Sequence, residues 1–156
     1  MSSPTTNYPP FSPYLTVRDA AKAIEFYKTA FDAEEIFRLT NPSDGKIGHA
    51  ELKIAGSLLM LSDENPQWGN KSPHTLGGTP VVFCLMVENA DAAVERAVAA
   101  GATSQMPVAD QFYGFRSGSI VDPFGQEWML QHEIEKVPPG EMQKRWDEMS
   151  GECSGS

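Results

Sequence analysis

The chain has 156 residues, a length that suits one compact domain with a substantial hydrophobic core. Its 21 acidic residues outnumber its 12 basic ones, and the formal net charge is −9. Because no run of Lys or Arg offsets this charge, the surface repels phosphate backbones, and the sequence predicts no nucleic-acid partner. The longest apolar run, TPVVFCLMV, is too short to cross a bilayer. The N-terminus lacks the features of a secretory signal. These features predict a cytoplasmic protein with no membrane partner.

The first half of the chain has the pattern strand, helix, then three strands. Residues 1–10 are polar and rich in Pro, which predicts a flexible tail. The segment PYLTV predicts a strand, and a helical apolar stripe follows it, with Asp19 as a plausible N-cap. Three further strands are predicted at EEIFRLT, IGHAELKIA and SLLMLSD, with a turn at NPSDGK. We assign residues 11–64 to a first βαβββ module.

The second half repeats this order after a linker or loop rich in Pro and Gly at residues 65–79. The segment VVFCLMV predicts a strand, and NADAAVERAVAAG predicts a helix that starts near Asn89 or Asp91. Strands are predicted near SQMPV and at RSGSIVD and QEWMLQH, with a loop at ADQFYGF. We assign residues 80–134 to a second module, 135–149 to a C-terminal helix and 150–156 to a disordered tail.

The two halves also match residue by residue. Leu15 falls on Leu85 at an offset of 70 residues, and the stretch GSLLMLSDE falls on GQEWMLQHE at an offset of 69, which aligns Met60 with Met129. Matched element order and matched lengths are hard to obtain by chance. The sequence therefore predicts an α+β fold of two tandem βαβββ modules whose curled sheets face each other around a cavity.

Three stretches, PYLTVRDAAKAIEFYKTAF, HAELKIAGSLLMLSDE and GFRSGSIVDPFGQEWML, resemble the vicinal oxygen chelate superfamily. This superfamily includes glyoxalases, bleomycin resistance proteins and dioxygenases, and the resemblance is strongest to its PhnB-like branch. The resemblance implies the paired βαβββ fold, a homodimer, and a substrate cup inside each curled sheet. It also implies, for the metalloenzymes of the superfamily, one Fe, Mn, Ni or Zn ion held by the first and last strands of the modules.

The resemblance places those metal ligands at Ser12, Met60, Val82 and Met129 in this sequence. None of the four is a good ligand for a hard or borderline divalent ion, because thioether sulfur is a soft ligand. The sequence therefore predicts neither a metal site nor another cofactor, and it favours a protein that binds a small molecule in an apolar cup. The alternative is a metal-dependent glyoxalase-like lyase or isomerase, or a dioxygenase, with displaced ligands. A third hypothesis is an interaction protein that docks through its C-terminal helix. Whether the protein is an enzyme stays open.

Two polar candidates stand out for the chemistry of the cup. His49 and Glu51 alternate along a strand and so share one of its faces, where they could act as a catalytic acid/base pair. The alternative is a solvent-facing edge of the sheet. Arg116 could hold a carboxylate or phosphate of a ligand, or it could pair with one of the many acidic residues.

The remaining candidates are apolar. Aromatic residues in a loop that contains Gly, together with methionines, could line an adaptable ligand-binding pocket, or they could belong to the core. The residues in question are Met60, Met86, Tyr113, Phe115 and Met129.

Overall fold

A computed structural model describes residues 8–154, so the predictions for residues 1–7 and 155–156 lie outside the described residues. The first module consists of β1 (Tyr14–Val17), α1 (Ala20–Phe31), β2 (Glu34–Thr40), β3 (Ile47–Ile54) and β4 (Ser57–Asp63). A short helix, α2 (Pro73–Leu76), lies in the linker. The second module consists of β5 (Val82–Met86), α3 (Ala90–Ala99), β6 (Thr103–Asp110), β7 (Phe115–Val121) and β8 (Glu127–Glu133), and α4 (Pro139–Ser154) follows it.

The two sheets have the same topology, with strand orders β1-β4-β3-β2 and β5-β8-β7-β6. In each sheet the first strand of the module pairs in parallel with the last. The register is also the same, because Tyr14 lies opposite Met60 in the first sheet and Cys84 lies opposite Met129 in the second. The predicted α+β fold of two tandem βαβββ modules with curled sheets is confirmed.

The helix-bearing sides of both modules share one hydrophobic core. The apolar stripe of α1 is too wide for its own sheet alone, so Tyr27 and Phe31 reach the second module and pack on Trp128, with ring centroids 5.5 and 4.8 Å apart. Residues of both sheets and both helices belong to the same buried cluster. Within one chain, the helix-bearing sides of the two curled sheets therefore meet at this core.

A buried carboxylate joins the two modules within this core. The hydroxyl of Tyr27 in α1 donates to Asp122 Oδ2 at 2.6 Å, and Trp128 Nε1 donates to the same oxygen at 3.0 Å. The backbone N–H groups of Phe124 and Gln126 donate to Oδ1 at 2.9 and 3.0 Å. Burial raises the pKa of Asp122. The DPFGQEW stretch thus forms a turn that is stabilised by the hydrogen bond from Tyr27 of α1 to Asp122.

The larger boundary differences lie at β6 and at α4, which begins at Pro139 rather than at residue 135. β6 continues through part of the predicted loop to Asp110, which pairs with Arg116 across the hairpin. Pro107 is tolerated within β6 because the strand lies at the edge of its sheet and its register is irregular there. The backbone of α4 stays helical past residue 149 to Ser154, since Gly151 weakens a helix by only about 1 kcal/mol. None of the helices within residues 8–154 is long and apolar enough to span a membrane.

Candidate functional site

Each curled sheet has one face against the helices and one open face. We call the open faces the first and second concave faces. The first carries the side chains of Tyr14, Phe37, His49, Glu51 and Met60, which lie opposite one another in the strand register. The second carries those of Cys84, Met86, Ser117, Ser119, Met129 and Gln131.

A hydrogen-bonded network of two tyrosines, one histidine and one glutamate lies on the first concave face. His49 Nε2 lies 2.8 Å from Glu51 Oε2, and His49 Nδ1 lies 2.9 Å from the hydroxyl of Tyr14. The hydroxyl of Tyr8, from the segment before β1, donates to Glu51 Oε2 at 3.0 Å. Glu51 is only 4% exposed. The structure therefore brings the predicted pair His49 and Glu51 together and adds a tyrosine at each end.

One protonation pattern satisfies every member of this network. With the proton on Nε2, His49 donates to the Glu51 carboxylate and accepts at Nδ1 from Tyr14. The rings of Tyr14 and Phe37 flank the imidazole, with centroids 5.4 and 5.6 Å from that of His49. The hydrogen bond to the carboxylate raises the pKa of Tyr8. This arrangement can accept a hydrogen bond or a proton from a ligand hydroxyl at Glu51.

The second concave face is neutral at the equivalent positions. Ser119 lies opposite Met129, as Glu51 lies opposite Met60 in the first sheet. Ser117, two residues before Ser119, is at the position equivalent to His49. Among the described residues, Ser119 Oγ and Gln131 Oε1 are buried side-chain atoms without a hydrogen-bond partner. The duplication has thus kept the central methionine of each sheet and changed the polar groups around it.

The predicted aromatic and methionine residues do not form one pocket. Phe115 points to the second concave face, and the ring of Tyr113 packs on it with centroids 5.8 Å apart. Met86 lies at the end of β5, where its sulfur accepts a long hydrogen bond of 3.8 Å from Gln131. Met60 lies on the other sheet from all of these. The two faces of one chain are therefore separate, and a ligand on one of them does not reach the other.

Arg116 lies on the side of β7 that faces α3. Its guanidinium binds Asp91 through Nε at 2.6 Å and Asp110 through Nη1 at 2.9 Å. The neighbouring residue across the sheet, His132, accepts the backbone N–H of Ala90 at the start of α3. These contacts correspond to the ion-pair alternative, and Arg116 does not line either concave face.

A groove of about 680 Å³ between α1 and α3 contains neither His49 nor Glu51. Its charged side chains include Asp32 and Arg96, which already bind each other at 2.7 Å. A second groove of about 580 Å³ lies between β1 and β5, and Tyr14 lines it. We place the candidate site at the Glu51 network because its ionisable groups converge on a buried carboxylate.

The residues at the positions implied for a metal do not fit a hard divalent ion. Met60 and Met129 offer thioether sulfur, Val82 offers no donor atom, and Ser12 precedes β1. Within residues 8–154, no group of three or more His, Cys, Asp or Glu side chains is placed to hold a metal ion.

Sequence reasoning missed several members of these faces, among them Ser117, Ser119 and Tyr8. Ser117 and Ser119 were detectable, because an offset of 68 residues aligns them with His49 and Glu51. Tyr8 carried no signal, since it lies in a segment whose composition indicates a flexible tail.

A sequence model of the Glyoxalase/Bleomycin resistance protein/Dioxygenase superfamily matches residues 10–130. Since this match covers most of the chain and the fold agrees with it, the chain belongs to that superfamily. An uncharacterized protein of Mycobacterium tuberculosis is 48% identical to it over 138 residues, which is 86% of this chain and 81% of that protein.

Solved structures give the same fold. The X-ray structure of a gene product from Arabidopsis thaliana is similar with a TM-score of 0.65 and 32% identity, over 79% of this chain and 98% of that chain. The fosfomycin resistance protein FosX from Listeria monocytogenes, crystallised with Mn(II) and sulfate ion, has a TM-score of 0.60. It is 22% identical over 87% of this chain and 95% of that chain, which shows a shared fold alone.

Proposed function

We propose that this protein binds a small organic molecule on its concave faces without a divalent metal ion, as a cytoplasmic, PhnB-like member of its superfamily. The observation that carries this proposal is the methionine at the centre of each face. Met60 lies between Glu51 and Tyr14, and Met129 lies between Ser119 and Cys84. A thioether flanked by aromatic and polar groups provides an adaptable apolar contact and is a poor ligand for a hard ion.

A second copy of the chain completes each site in this proposal. Large apolar side chains are exposed on both faces, from Phe37 at 38% to Leu39 at 59%. Such surfaces are costly to leave in water, and contiguous apolar surface of this kind marks an interface or a ligand site. A homodimer in which the faces of two chains meet would cover them and would enclose the ligand. The other apolar residues concerned are Tyr14, Val82, Met86 and Met106.

A metal-independent enzyme is the second candidate, and the His49–Glu51 pair favours it. A histidine held at 2.8 Å from a buried carboxylate and 2.9 Å from a tyrosine hydroxyl has the geometry of a general acid–base pair. In that case Glu51 contacts the ligand and takes up its proton, while His49 and Tyr14 hold the carboxylate in position. Binding of a small molecule on the same face is common to both candidates.

The test uses protein labelled with ¹³C at the methionine methyl groups and a library of neutral aromatic fragments. Met60 reports on the first face and Met129 on the second, while Met149 lies on α4, outside both sheets, and is the reference signal. The proposal predicts fragments that shift Met60 or Met129 and leave Met149 unchanged. A library in which no fragment shifts either methyl group would contradict it.

A further inference from the structure

The segment that precedes β1 places a tyrosine on the buried carboxylate of the first concave face. The hydroxyl of Tyr8 donates to Glu51 Oε2 at 3.0 Å, although the two residues are 43 positions apart in sequence. The same oxygen is 2.8 Å from His49 Nε2. Tyr8 thus donates to Glu51, which is a charged and buried acceptor on this face.

The backbone around Tyr8 is not part of either sheet. Residues 8–13 form neither helix nor strand, and residues 8–11 are exposed. The carbonyl of Pro13 accepts a hydrogen bond from Met60 N at 3.1 Å, so the segment is tied to β4 at its end nearer β1. Tyr8 lies five residues before this point. The hydroxyl can therefore leave Glu51 without disturbing β1 or the core.

We propose that the first concave face binds a phenol. The hydroxyl of Tyr8 occupies the position of the ligand's hydroxyl, so the N-terminal segment competes with the ligand for Glu51. This inference rests on the proposed function, since it names the ligand class of the same site. The hydrogen bond from the Tyr8 phenol to Glu51 is the same contact that a bound phenol would make.

The groups around Glu51 suit an aromatic ring that bears a hydroxyl. Glu51 presents an acceptor, and a carboxylate acceptor binds an O–H donor more strongly than a neutral oxygen does. Tyr14 and Phe37 flank His49 and supply ring faces and edges on either side. An anionic ligand group would be repelled by the charge of Glu51, and Arg116, bound to Asp91 and Asp110 on the other sheet, does not offset that charge.

A side chain that competes for the site lowers the apparent affinity for a ligand, because only the molecules whose site is free can bind it. Removal of the Tyr8 side chain must therefore strengthen binding of a free phenol. The natural probe is p-cresol, which is the side chain of tyrosine as a separate molecule. The matched control ligand is 4-methylanisole, which has the same ring but no O–H to donate.

The experiment measures p-cresol affinity by titration of the Met60 methyl signal in four proteins. Relative to the native chain, we expect Tyr8→Ala to bind p-cresol about tenfold more tightly, the value of one hydrogen bond to a charged group. Phe11→Ala removes an 88% exposed ring from the same segment and should leave the affinity unchanged. In the double variant Tyr8→Ala/Glu51→Gln, the preference for p-cresol over 4-methylanisole should be lost.

Equal affinity of the native chain and Tyr8→Ala for p-cresol would overturn the inference, as would equal binding of 4-methylanisole and p-cresol to Tyr8→Ala. If other fragments shift Met60 in either of those cases, the proposed small-molecule function stands and only the phenol assignment fails. If no compound shifts Met60 or Met129 in any variant, both fail.

Discussion

His132 holds in the second module the position that Asp63 holds in the first. Asp63 Oδ1 accepts the backbone N–H of Ala20, the first residue of α1, at 2.8 Å. His132 Nδ1 accepts the backbone N–H of Ala90, the first residue of α3, at 2.9 Å. The two acceptors are 69 residues apart, the same offset as Met60 and Met129. The duplicated fold thus keeps an acceptor at the start of each helix, where backbone N–H groups lack partners, and varies the residue type that supplies it.

The two acceptors should differ in their contribution to stability. Asp63 is buried and also accepts the backbone N–H groups of Asp19 at 2.9 Å and Ile47 at 2.7 Å, whereas His132 has the one bond to Ala90. We expect Asp63→Ala to lower the free energy of unfolding by about 3 kcal/mol and His132→Ala by about 1 kcal/mol. Urea unfolding of both variants measures this, and equal losses would contradict it.

The bond between Tyr27 and Asp122 should couple the stability of the two modules. Tyr27→Phe removes the hydroxyl that donates to Asp122 at 2.6 Å but keeps the ring against Trp128. We expect a loss of about 2 kcal/mol in the free energy of unfolding, since a buried hydrogen bond to a carboxyl group is lost.

The control for this prediction is Tyr14→Phe, which also removes one tyrosine hydroxyl but from an exposed position on the first concave face. It should change the free energy of unfolding by much less. A Tyr27→Phe variant as stable as the native chain in thermal and urea unfolding would show that the contact does not stabilise the junction.

Glu64 should make the attachment of the linker sensitive to acid. Its carboxylate accepts from Arg18, from the hydroxyl of Thr75 at 2.6 Å and from the backbone and hydroxyl of Ser72. These donors, led by Thr75 and Ser72, lower the pKa of Glu64 to about 2. Because the folded-state pKa lies below the ordinary value of 4.5, the contribution is fully present above that value and is lost as the pH falls towards 2.

We therefore expect Glu64→Gln to be less stable than the native chain at pH 7, with a difference that shrinks steadily as the pH is lowered from 5 to 3. Thermal unfolding across this range measures the difference. A stability gap that is constant with pH would show that the ionised carboxylate is not what Ser72 and Thr75 bind.

The concave faces should hold two chains together. We expect the native protein to have twice the 17.1 kDa mass of the chain in light scattering, and Leu39→Glu or Met106→Glu to reduce it towards the mass of one chain. Both residues are exposed and apolar, and a buried unpaired carboxylate at an interface is costly. The matched control is Val98→Glu, on exposed α3 surface away from both faces. A native monomer, or equal dissociation by Val98→Glu, would contradict the proposed interface.

The sequence was informative wherever the signal was local or repeated. Strand and helix order follow from periodicity, and the offset between Met60 and Met129 predicted a register that the pairing with Tyr14 and Cys84 confirms. Asp19 was predicted to cap α1, and its side chain accepts the backbone N–H of Lys22. These features depend on neighbours a few residues away, which a single sequence displays directly.

The features that sequence reasoning missed depend on distant partners. Nothing near Tyr8 indicates that its hydroxyl reaches Glu51, and nothing near Arg116 selects Asp91 and Asp110 among the many acidic residues. The packing of Phe31 on Trp128 decided which sides of the sheets meet. These contacts are set by how the two modules dock, which the repeat by itself does not determine.

The proposal that Met60 and Met129 replace a metal site is tested most directly by the metal content of the protein. Protein purified without chelators from cells grown with added Ni, Fe, Mn and Zn should carry far less than one ion per chain. Its binding of p-cresol or of any fragment that shifts Met60 should be unchanged by subsequent EDTA treatment. Close to one bound ion per chain, lost together with ligand binding in His49→Ala or after EDTA, would contradict the account.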